Sequence, residues 1–421
     1  MRKIWMVLML GLLLPTLSFA DTVKLLPSAV LDGETNSFKP GWGVVVKDGF
    51  ITEVGPVRSL SSTDTTQNLE GLSLIPGLIE NHSHVLLHPY DETGWNDQVL
   101  KESFAERAIR GGKHATANLM AGFTTLRDLG SEGAEYVDVG VRDAINKGVV
   151  DGPRLLVAGK AIVATGSYGP KGFSPHFKPP LGAEEADGDD LRRITRDQIG
   201  HGIDWVKVYA DYRWGPNGEA RPTFSIDELK TIVEVAASSG RQTVAHASTN
   251  EAMRRATLAG VRTIEHGDGG TLETFKLMAE RGVAWCPTLA ASEAIAEYQG
   301  WVKGKDTPPN RVTEQQTAFN NALKAGVTMC MGSDIGVYDH GDNVLEMELM
   351  VDYGMETKDV LQSATSINAN ILNMADKIGS LKVGLEADII AVRGNPHDDI
   401  SNLKNVEFVM KMGKIYKGNV K

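Results

Sequence analysis

Short apolar segments alternate with segments of helical periodicity between residues 75 and 375 of this 421-residue chain. The segment that begins at Ser225 shows this pattern well, because Ser225 and Glu228 can form a capping box before an apolar stripe at helical spacing. Gly240 is a suitable end for this helix, and the run from Gln242 to His246 is typical of a buried strand. The pattern therefore predicts a helix followed by a strand.

The same alternation continues along the chain. Asn250 can cap the next helix, Gly260 can end it, and residues 261–266 again have the composition of a strand. Strands that alternate with helices form a parallel sheet with the helices outside it. The number of such units suits a closed (β/α)8 barrel, in which reactive side chains collect at the carboxyl ends of the strands. We predict an α/β fold with a TIM-type barrel over residues 75–375.

The two ends of the chain follow a different pattern, with β-type segments separated by turns. Residues 43–51 contain an Asp48-Gly49 pair, which is typical of a hairpin, and residues 380–421 are similar in style. We predict that residues 21–74 and 376–421 form one small β-sandwich domain beside the barrel. Residues 168–190, which are rich in Pro, Gly and acidic residues, are expected to form a long loop that could act as a lid.

The first twenty residues have the composition of a secretory signal peptide. Arg2 and Lys3 precede an apolar run from Ile4 to Leu17, and Ala20 ends a small-residue cleavage signal. We expect cleavage after Ala20 and a secreted or periplasmic mature protein, with an uncleaved anchor as the alternative. The apolar run is short for a bilayer-spanning segment, so no membrane association is expected after cleavage.

The formal net charge of −11 indicates which partners the chain is not suited to bind. A chain this acidic lacks the basic surface that nucleic acid or anionic lipid requires, so neither is an expected partner. The exposed helices of such a barrel are compatible with a homo-oligomer, but the sequence does not count subunits.

The two cysteines, Cys286 and Cys330, both lie in strand-like apolar segments. Two thiols do not make a disulfide scaffold, and buried free thiols are the expected state. A single disulfide is the alternative if the two strands are neighbours. Because the chain has no Cys-x-x-Cys pair, zinc binding by thiolates is not expected.

A pair of histidines, His82 and His84, follows the apolar run 75–79. In a strand, residues i and i+2 point to the same side, so both imidazoles can face one metal ion. Four further groups that can bind a metal occur at the ends of later predicted strands: Lys207, His246, His266 and Asp334. Singly, each has a structural alternative: core histidines, half of a buried ion pair for the lysine, and a helix cap for the aspartate. As a set, these nitrogen- and oxygen-bearing groups favour two divalent metals such as zinc.

These motifs resemble those of the amidohydrolase superfamily, in its binuclear metal type. Residues 76–84 are similar to its first metal motif, and residues 384–389 are similar to part of its small β-sandwich. The resemblance covers nearly the whole mature chain. It implies two zinc-type ions and a CO2-derived carbamate on Lys207 that bridges them. The implied ligands are His82, His84 and Asp334 for one ion, and His246 and His266 for the other.

The resemblance also implies a reaction. A hydroxide between the two ions would attack an amide or ester carbonyl, and Asp334, as the catalytic residue, would carry the proton to the leaving amine. Residues 82–100 resemble the imidazolonepropionase-like branch with Xaa-Pro and Xaa-Arg dipeptidases and ochratoxinase-like carboxypeptidases. Hydrolysis of dipeptides or N-acyl amino acids is therefore predicted. The alternatives are a hydrolase of cyclic amides or lactones and a non-catalytic binding protein, while Lys207 argues against a mononuclear deaminase.

A substrate α-carboxylate needs a cluster of hydrogen-bond donors at the barrel mouth. The candidates for substrate binding are His88, Tyr168, Tyr209, Tyr212, Arg213 and His340. Two departures from the family pattern affect the site. Glu80 stands where many members carry Asp, which puts the orientation of the histidines in question. Residues 165–169 lack a Gly-Gly-His found in several relatives, so the specificity of those relatives does not transfer.

Overall fold

The structure is a computed structural model that describes residues 22–63 and 65–418. The predicted signal peptide, residues 1–20, lies outside the described residues, so cleavage after Ala20 stays a prediction. Within the described part of the chain, no helix combines the length and the apolar character needed to cross a membrane.

The strands and helices of the described residues follow one another in chain order. The strands are β1 (Val23–Asp32), β2 (Ser37–Pro40), β3 (Trp42–Lys47), β4 (Phe50–Pro56), β5 (Thr65–Pro76), β6 (Leu78–Ser83), β7 (Phe123–Asp128), β8 (Arg154–Val157), β9 (Ile162–Val163), β10 (Glu184–Glu185), β11 (Trp205–Tyr209), β12 (Asp211–Arg213), β13 (Ala220–Pro222), β14 (Gln242–Ala247), β15 (Thr263–His266), β16 (Ala284–Cys286), β17 (Ile389–Arg393), β18 (Val406–Lys411) and β19 (Lys414–Lys417). The α-helices are α1 (Trp95–Lys101), α2 (Phe104–Met120), α3 (Val137–Asn146), α4 (Asp190–Gly200), α5 (Ile226–Ser238), α6 (Asn250–Ala259), α7 (Leu272–Arg281), α8 (Leu289–Tyr298), α9 (Asn310–Ala325), α10 (Val344–Asp352), α11 (Thr357–Gln362) and α12 (Asn368–Ile371).

Strands from both chain ends lie together in one eight-stranded sheet. Its order is β19-β18-β17-β5-β1-β3-β4, with β2 paired to β1, and β1 and β5 run parallel. Asp48 and Gly49, at φ 52° and 84°, form the predicted turn between β3 and β4. Leu25, Leu74 and Phe408 belong to one apolar core beneath this sheet. Hydrogen bonds thus join strands from both chain ends in a single sheet, and the arrangement of this sheet as a sandwich stays a prediction.

The middle of the chain contains two parallel sheets, β6-β7-β8 and β10-β9-β11-β14-β15-β16. Parallel strands alternating with helices confirm the predicted α/β class. The amide of Asp204, just before β11, donates to the carbonyl of Val157 in β8 (2.7 Å). Residues 328–333, which precede Asp334, are not a continuous strand. Isolated parallel bridges join Met329 to β16 and Ile335 to β6. Too few consecutive residues pair at these bridges to make a strand.

The predicted helix ends agree with the structure at α5 and differ at α6. Ser225 and Glu228 form the predicted capping box, and α5 is followed by Gly240 at φ 77°. The N-cap of α6 is Thr249, whose hydroxyl accepts from the amide of Ala252 (3.3 Å), so the assignment of Asn250 as the cap was wrong. The side chain of Asn250 instead accepts hydrogen bonds from hydroxyls at the start of α7.

Cys286 and Cys330 are joined in a disulfide, where buried free thiols were expected. Cys286 ends β16, and the amide of Cys330 donates to the carbonyl of Trp285 in that strand (2.8 Å). The two Cα atoms are therefore only 4.8 Å apart. The segments that hold the two cysteines are neighbours, as the alternative of a single disulfide required.

Arg154 in β8 connects the parallel sheets to the terminal sheet. Its guanidinium binds the carboxylates of Asp388 (2.6 Å) and Glu386 and donates to Thr125 in β7 (2.8 Å). Asp388 is buried, with 3% of its surface exposed, and precedes β17. One cation thus neutralises two acids at the junction between the two parts of the fold.

We expect Arg154→Ala to lower the free energy of unfolding by about 3 kcal/mol, because it leaves buried Asp388 without a cation. The control is Arg193→Ala, whose ion pair with Asp190 is exposed on both sides. Exposed pairs contribute less than about 1 kcal/mol. Urea denaturation of both variants measures the difference, and equal losses would contradict the role of Arg154.

Candidate active site

Five of the predicted metal ligands line one cavity of about 550 Å³: His82, His84, His246, His266 and Asp334. The strand register brings them together, because Tyr209 in β11 pairs with His246 and Ala247 in β14 pairs with His266. Lys207, the sixth predicted ligand, lies in the middle of β11 and is 1% exposed. Burial and, after it, the positive charge of Lys207 lower the pKa of His82. Lys207 is therefore close enough to act electrostatically on the groups of the cavity.

The imidazoles form a compact group. Ring centres lie 5.3 Å apart for His82 and His84, 5.2 Å for His82 and His266, and 4.4 Å for His246 and His266. Oδ1 of Asp334 is 3.5 Å from Nε2 of His82 and 3.3 Å from Nε2 of His84. Possible ligand atoms of His82, His266 and Asp334 lie within 4.8 Å of one another, so these three residues could hold one metal ion.

Three of the histidines are oriented by hydrogen bonds at Nδ1. His82 donates to Glu265 (2.8 Å), His84 donates to the carbonyl of Gly130 (3.0 Å), and His266 shares a hydrogen bond with Thr288 (2.8 Å). With Nδ1 engaged in this way, Nε2 of each ring remains available to a metal ion.

Burial sets the protonation of these groups. It lowers the pKa of His82 to about 4 and that of His266 to about 3, which favours the neutral imidazole that binds metals. Burial also works against a charged His84, but the hydrogen bond to Asp334 raises the pKa of His84 to about 9. The space between these two side chains therefore favours a positive charge, which a metal ion would supply.

Lys207 has no ion pair with any of the described residues, so the alternative of a buried ion pair does not hold. Burial lowers the pKa of Lys207 to about 8, against the attraction of Glu265 and Asp334. The alternative that Asp334 caps a helix also fails. Asp334 has a φ of 62° and does not stand at the start of any helix of the described residues.

Strained backbone is concentrated at the cavity. Glu132, His266, Thr288 and Asp334 are non-glycine residues with positive φ values of 46°, 72°, 52° and 62°, and all four line the cavity. Such conformations cost free energy and persist where the surrounding structure enforces them, which is common at functional sites.

Glu80, which stands where many members of the family carry Asp, helps to hold the main chain of His82 in place. Its carboxylate accepts from the amides of His82 (2.9 Å) and Ser333 (2.8 Å), the hydroxyl of Ser333 (2.6 Å) and the side chain of Asn343 (2.9 Å). The longer acid thus joins the segment of His82 to the residue that precedes Asp334.

The predicted donors for a substrate carboxylate fall into separate groups. Tyr168, Tyr209, Tyr212 and Arg213 line the cavity. The hydroxyls of Tyr168 (2.6 Å) and Tyr209 (3.3 Å), however, donate to the carboxylate of Glu132. A second carboxylate would be repelled there, so only Tyr212 and Arg213 remain suitable for the predicted role.

His88 and His340 do not line the cavity, and we remove them from the site. His88 is 1% exposed and is held by Glu92 (3.0 Å) and Glu102 (2.7 Å). His340 bonds to the carbonyl of Leu87 (2.9 Å) and stacks on His114. Both side chains are engaged within the protein.

Sequence reasoning missed several groups of the site. Glu132 and Arg311 line the cavity, and Arg127 and Glu265 lie buried behind His82. The adjacent charges Arg127 and Asp128, in a β7 whose other four residues are uncharged, were a usable signal. Nothing local marked Arg311, which lies in the first turn of α9.

A family model for the amidohydrolase family matches residues 73–416. This chain belongs to the amidohydrolase family. It is 31% identical over 409 residues to ochratoxinase of Aspergillus niger, covering 89% of this chain and 82% of that protein. It is 22% identical over 382 residues to imidazolonepropionase of Deinococcus radiodurans, covering 85% and 87%.

A solved Xaa-Pro dipeptidase with methionine in its active site superposes with a TM-score of 0.83. Identity to that structure is 31%, and the match covers 94% of this chain and 100% of the other. The likeness implies a TIM barrel with an additional domain. Together with the family match, it makes this chain a hydrolase that acts on amide bonds, in a family that generally uses metal ions.

We expect Thr288→Val to weaken zinc affinity about 10-fold, because it removes the hydrogen bond that orients His266. Thr317→Val is the matched control, since Thr317 is an exposed residue of α9 whose hydroxyl bonds only within its helix. Competition with a chelator, followed by metal analysis, measures both variants. Unchanged metal affinity in Thr288→Val would show that the imidazole of His266 does not need the hydrogen bond to Thr288.

Proposed function

We propose that this protein is a binuclear metal-dependent hydrolase that releases the C-terminal amino acid from dipeptides or N-acyl amino acids. The proposal is carried by the cluster of four imidazoles around Asp334, two of them buried and two partly buried, in a cavity whose wall also holds Arg213 and Arg311. The similarity to an Xaa-Pro dipeptidase and to ochratoxinase supports the same class of substrate.

His82, His84 and Asp334 would hold one ion, and His246 and His266 the other. A carbamate on Lys207 would be shared by both, and the lowered pKa of Lys207 favours the neutral amine that reacts with CO2. Zinc suits such a set of nitrogen and oxygen ligands. Bound ions would polarise the substrate carbonyl and lower the pKa of a water molecule.

Asp334 is the proposed proton carrier. Burial alone would raise the pKa of Asp334, but His82 and His84 lower it, so the carboxylate is ionised. It lines the cavity and would accept a proton from the attacking water and pass it to the leaving nitrogen. The amine then leaves in its neutral form, and the acid product remains.

The two parallel sheets are proposed to close into a (β/α)8 barrel. The hydrogen bond from Asp204 to Val157 and the bridges at Met329 and Ile335 support this closure, since they join the edges of the sheets. Closure would place all the proposed ligands at one end of the barrel, where such enzymes carry their active sites. Domain boundaries at 74/75 and 375/376 are part of the same proposal.

Arg213 and Arg311 are the proposed binding groups for the substrate α-carboxylate. Neither forms an ion pair with another described residue. Burial lowers the pKa of Arg311, and the nearby charge of Arg213 lowers it further, although Asp268 opposes this effect. Two guanidinium groups that repel each other favour an anion between them. Asp268 and Glu314 also line this part of the cavity, which limits its positive charge.

Export with cleavage after Ala20 is part of the proposal, and it would suit the scavenging of small peptides outside the cytoplasm. The proposed partners are the substrate and, through exposed helices, further copies of the chain.

Zinc-loaded mature protein is expected to release free C-terminal amino acid from a panel of dipeptides and N-acyl amino acids. Lys207→Ala is expected to lose most bound metal and most turnover, because the ligand shared by the two ions is gone. Lys160→Ala is the matched control, as this lysine pairs with Glu135 (3.0 Å) and does not line the cavity. Amino-acid analysis and metal analysis give the two readouts.

Two results would contradict this proposal. A silent panel with two metals bound would favour hydrolysis of cyclic amides or lactones on the same scaffold. Two bound ions and normal turnover in Lys207→Ala would show that Lys207 is not the bridging ligand.

Arg213→Met is expected to lower kcat/KM about 10- to 100-fold for substrates with a free α-carboxylate, because a charge-assisted hydrogen bond is lost. Substrates with a C-terminal amide should be affected little. Arg221→Met, on the paired strand β13, is the control because Arg221 is exposed and pairs with Glu219. An equal loss of kcat/KM on substrates with a free α-carboxylate and on those with a C-terminal amide would show that Arg213 does not bind the substrate carboxylate.

A further inference from the structure

Glu132 is a buried carboxylate that lines the cavity and has no part in the proposed chemistry. Only 3% of it is exposed. Its Oε2 accepts from the indole of Trp95 (2.9 Å) and the hydroxyl of Tyr168 (2.6 Å), and its Oε1 accepts from Tyr209 (3.3 Å). All three donors are neutral, so they stabilise the carboxylate without cancelling its charge.

The buried guanidinium of Arg107 attracts this charge but forms no ion pair with it. Arg107 donates to the main-chain carbonyls of Leu86 (2.8 Å), Ser131 (3.1 Å) and Glu132 (3.1 Å), and not to the carboxylate. Glu132 has no ion pair within the described ranges. Because a carboxylate has about four acceptor sites and three are used, one remains for a ligand.

Glu132 also lies beside a proposed metal ligand. A Cβ built on Gly130 would be 3.2 Å from Oε1 of Glu132 and 3.5 Å from Cε1 of His84, so both groups border the same small space. Any side chain at Gly130, which has φ 153°, would intrude between them. The negative charge is therefore held close to His84, one of the proposed metal ligands.

The position of this charge matches one group of a free dipeptide. The α-ammonium of the N-terminal residue is only two bonds from the scissile carbonyl carbon, so its partner must lie beside the reaction centre. The α-carboxylate belongs to the leaving residue, for which Arg213 and Arg311 are the proposed partners. An N-acyl amino acid has no ammonium, and its apolar acyl group would face the uncompensated carboxylate of Glu132.

We propose that Glu132 binds the α-ammonium of the substrate, so that free dipeptides, rather than N-acyl amino acids, are the preferred class. The inference rests on the proposed function and narrows it. Tyr168, Tyr209 and Trp95 then serve to hold the carboxylate in place, which explains why these donors converge on one acid.

A matched pair of substrates tests this inference on the unaltered enzyme. Alanyl-Xaa and isobutyryl-Xaa differ only in that a methyl group replaces the ammonium, where Xaa is the C-terminal residue that the panel above selects. We expect kcat/KM to be about 10- to 100-fold higher for alanyl-Xaa, the effect of one hydrogen bond between charged groups. Equal rates, or a preference for isobutyryl-Xaa, would overturn the inference.

Glu132→Gln removes the charge and keeps the size of the side chain. This variant should lose most of the preference for alanyl-Xaa while it keeps its rate on isobutyryl-Xaa. The matched control is Glu135→Gln, in the same segment and also at positive φ, whose carboxylate pairs with Lys160 outside the cavity. An equal loss on both substrates would show that Glu132 only positions Tyr168 and Tyr209, which overturns the inference.

The outcomes separate the two proposals. Wild-type enzyme that hydrolyses neither dipeptides nor N-acyl amino acids overturns the proposed function, and the role of Glu132 with it. Wild-type enzyme that hydrolyses both without preference leaves the proposed function standing and overturns the role of Glu132 alone.

Discussion

The buried guanidinium of Arg127 joins the strands from which the active site is built. Its Nη2 donates to Glu265 in β15 (3.0 Å), whose other oxygen accepts from His82 in β6 (2.8 Å). Its Nε donates to the carbonyl of Asn81 (2.7 Å), and it lies over the ring of Trp205 in β11 (4.7 Å). Strands of both parallel sheets thus meet at one cation. Loss of either charged partner would leave a buried charge unpaired, which is costly.

This ion pair also explains the state of Lys207. Burial opposes the charge of Glu265, but Arg127 and His82 lower its pKa to about 2, and both of its oxygens are engaged by these two groups. Lys207 therefore has no carboxylate to bind, although it is attracted by Glu265 at longer range. A lysine that is buried and unpaired is unstable as an ammonium, which favours the neutral amine that reacts with CO2. The packing around Arg127 thus prepares Lys207 for its proposed role.

The cavity carries charged groups of both signs. Glu132, held by Tyr168 and Tyr209, lies beside His84, and Arg213 and Arg311 also line the wall. A zwitterionic ligand would have a possible partner for each of its charges in this cavity. The aromatic side chains near the metal ligands therefore support an acid, and a substrate carboxylate fits only at the arginines.

Local pattern was sufficient for much of this protein. The spacing of His82 and His84 and the strand ends at His246 and His266 predicted the four histidines that line the cavity, because strand periodicity decides which side chains share a face. The capping box at Ser225 likewise depends on neighbours within one turn of helix. Only the tertiary structure decided the pairing of the cysteines, the hydrogen bonds that hold His88 and His340 away from the cavity, and the position of Glu132 and Arg311 in the cavity wall. These features depend on distances between segments far apart in sequence, which are set by how the sheets and helices pack, and no local periodicity encodes them.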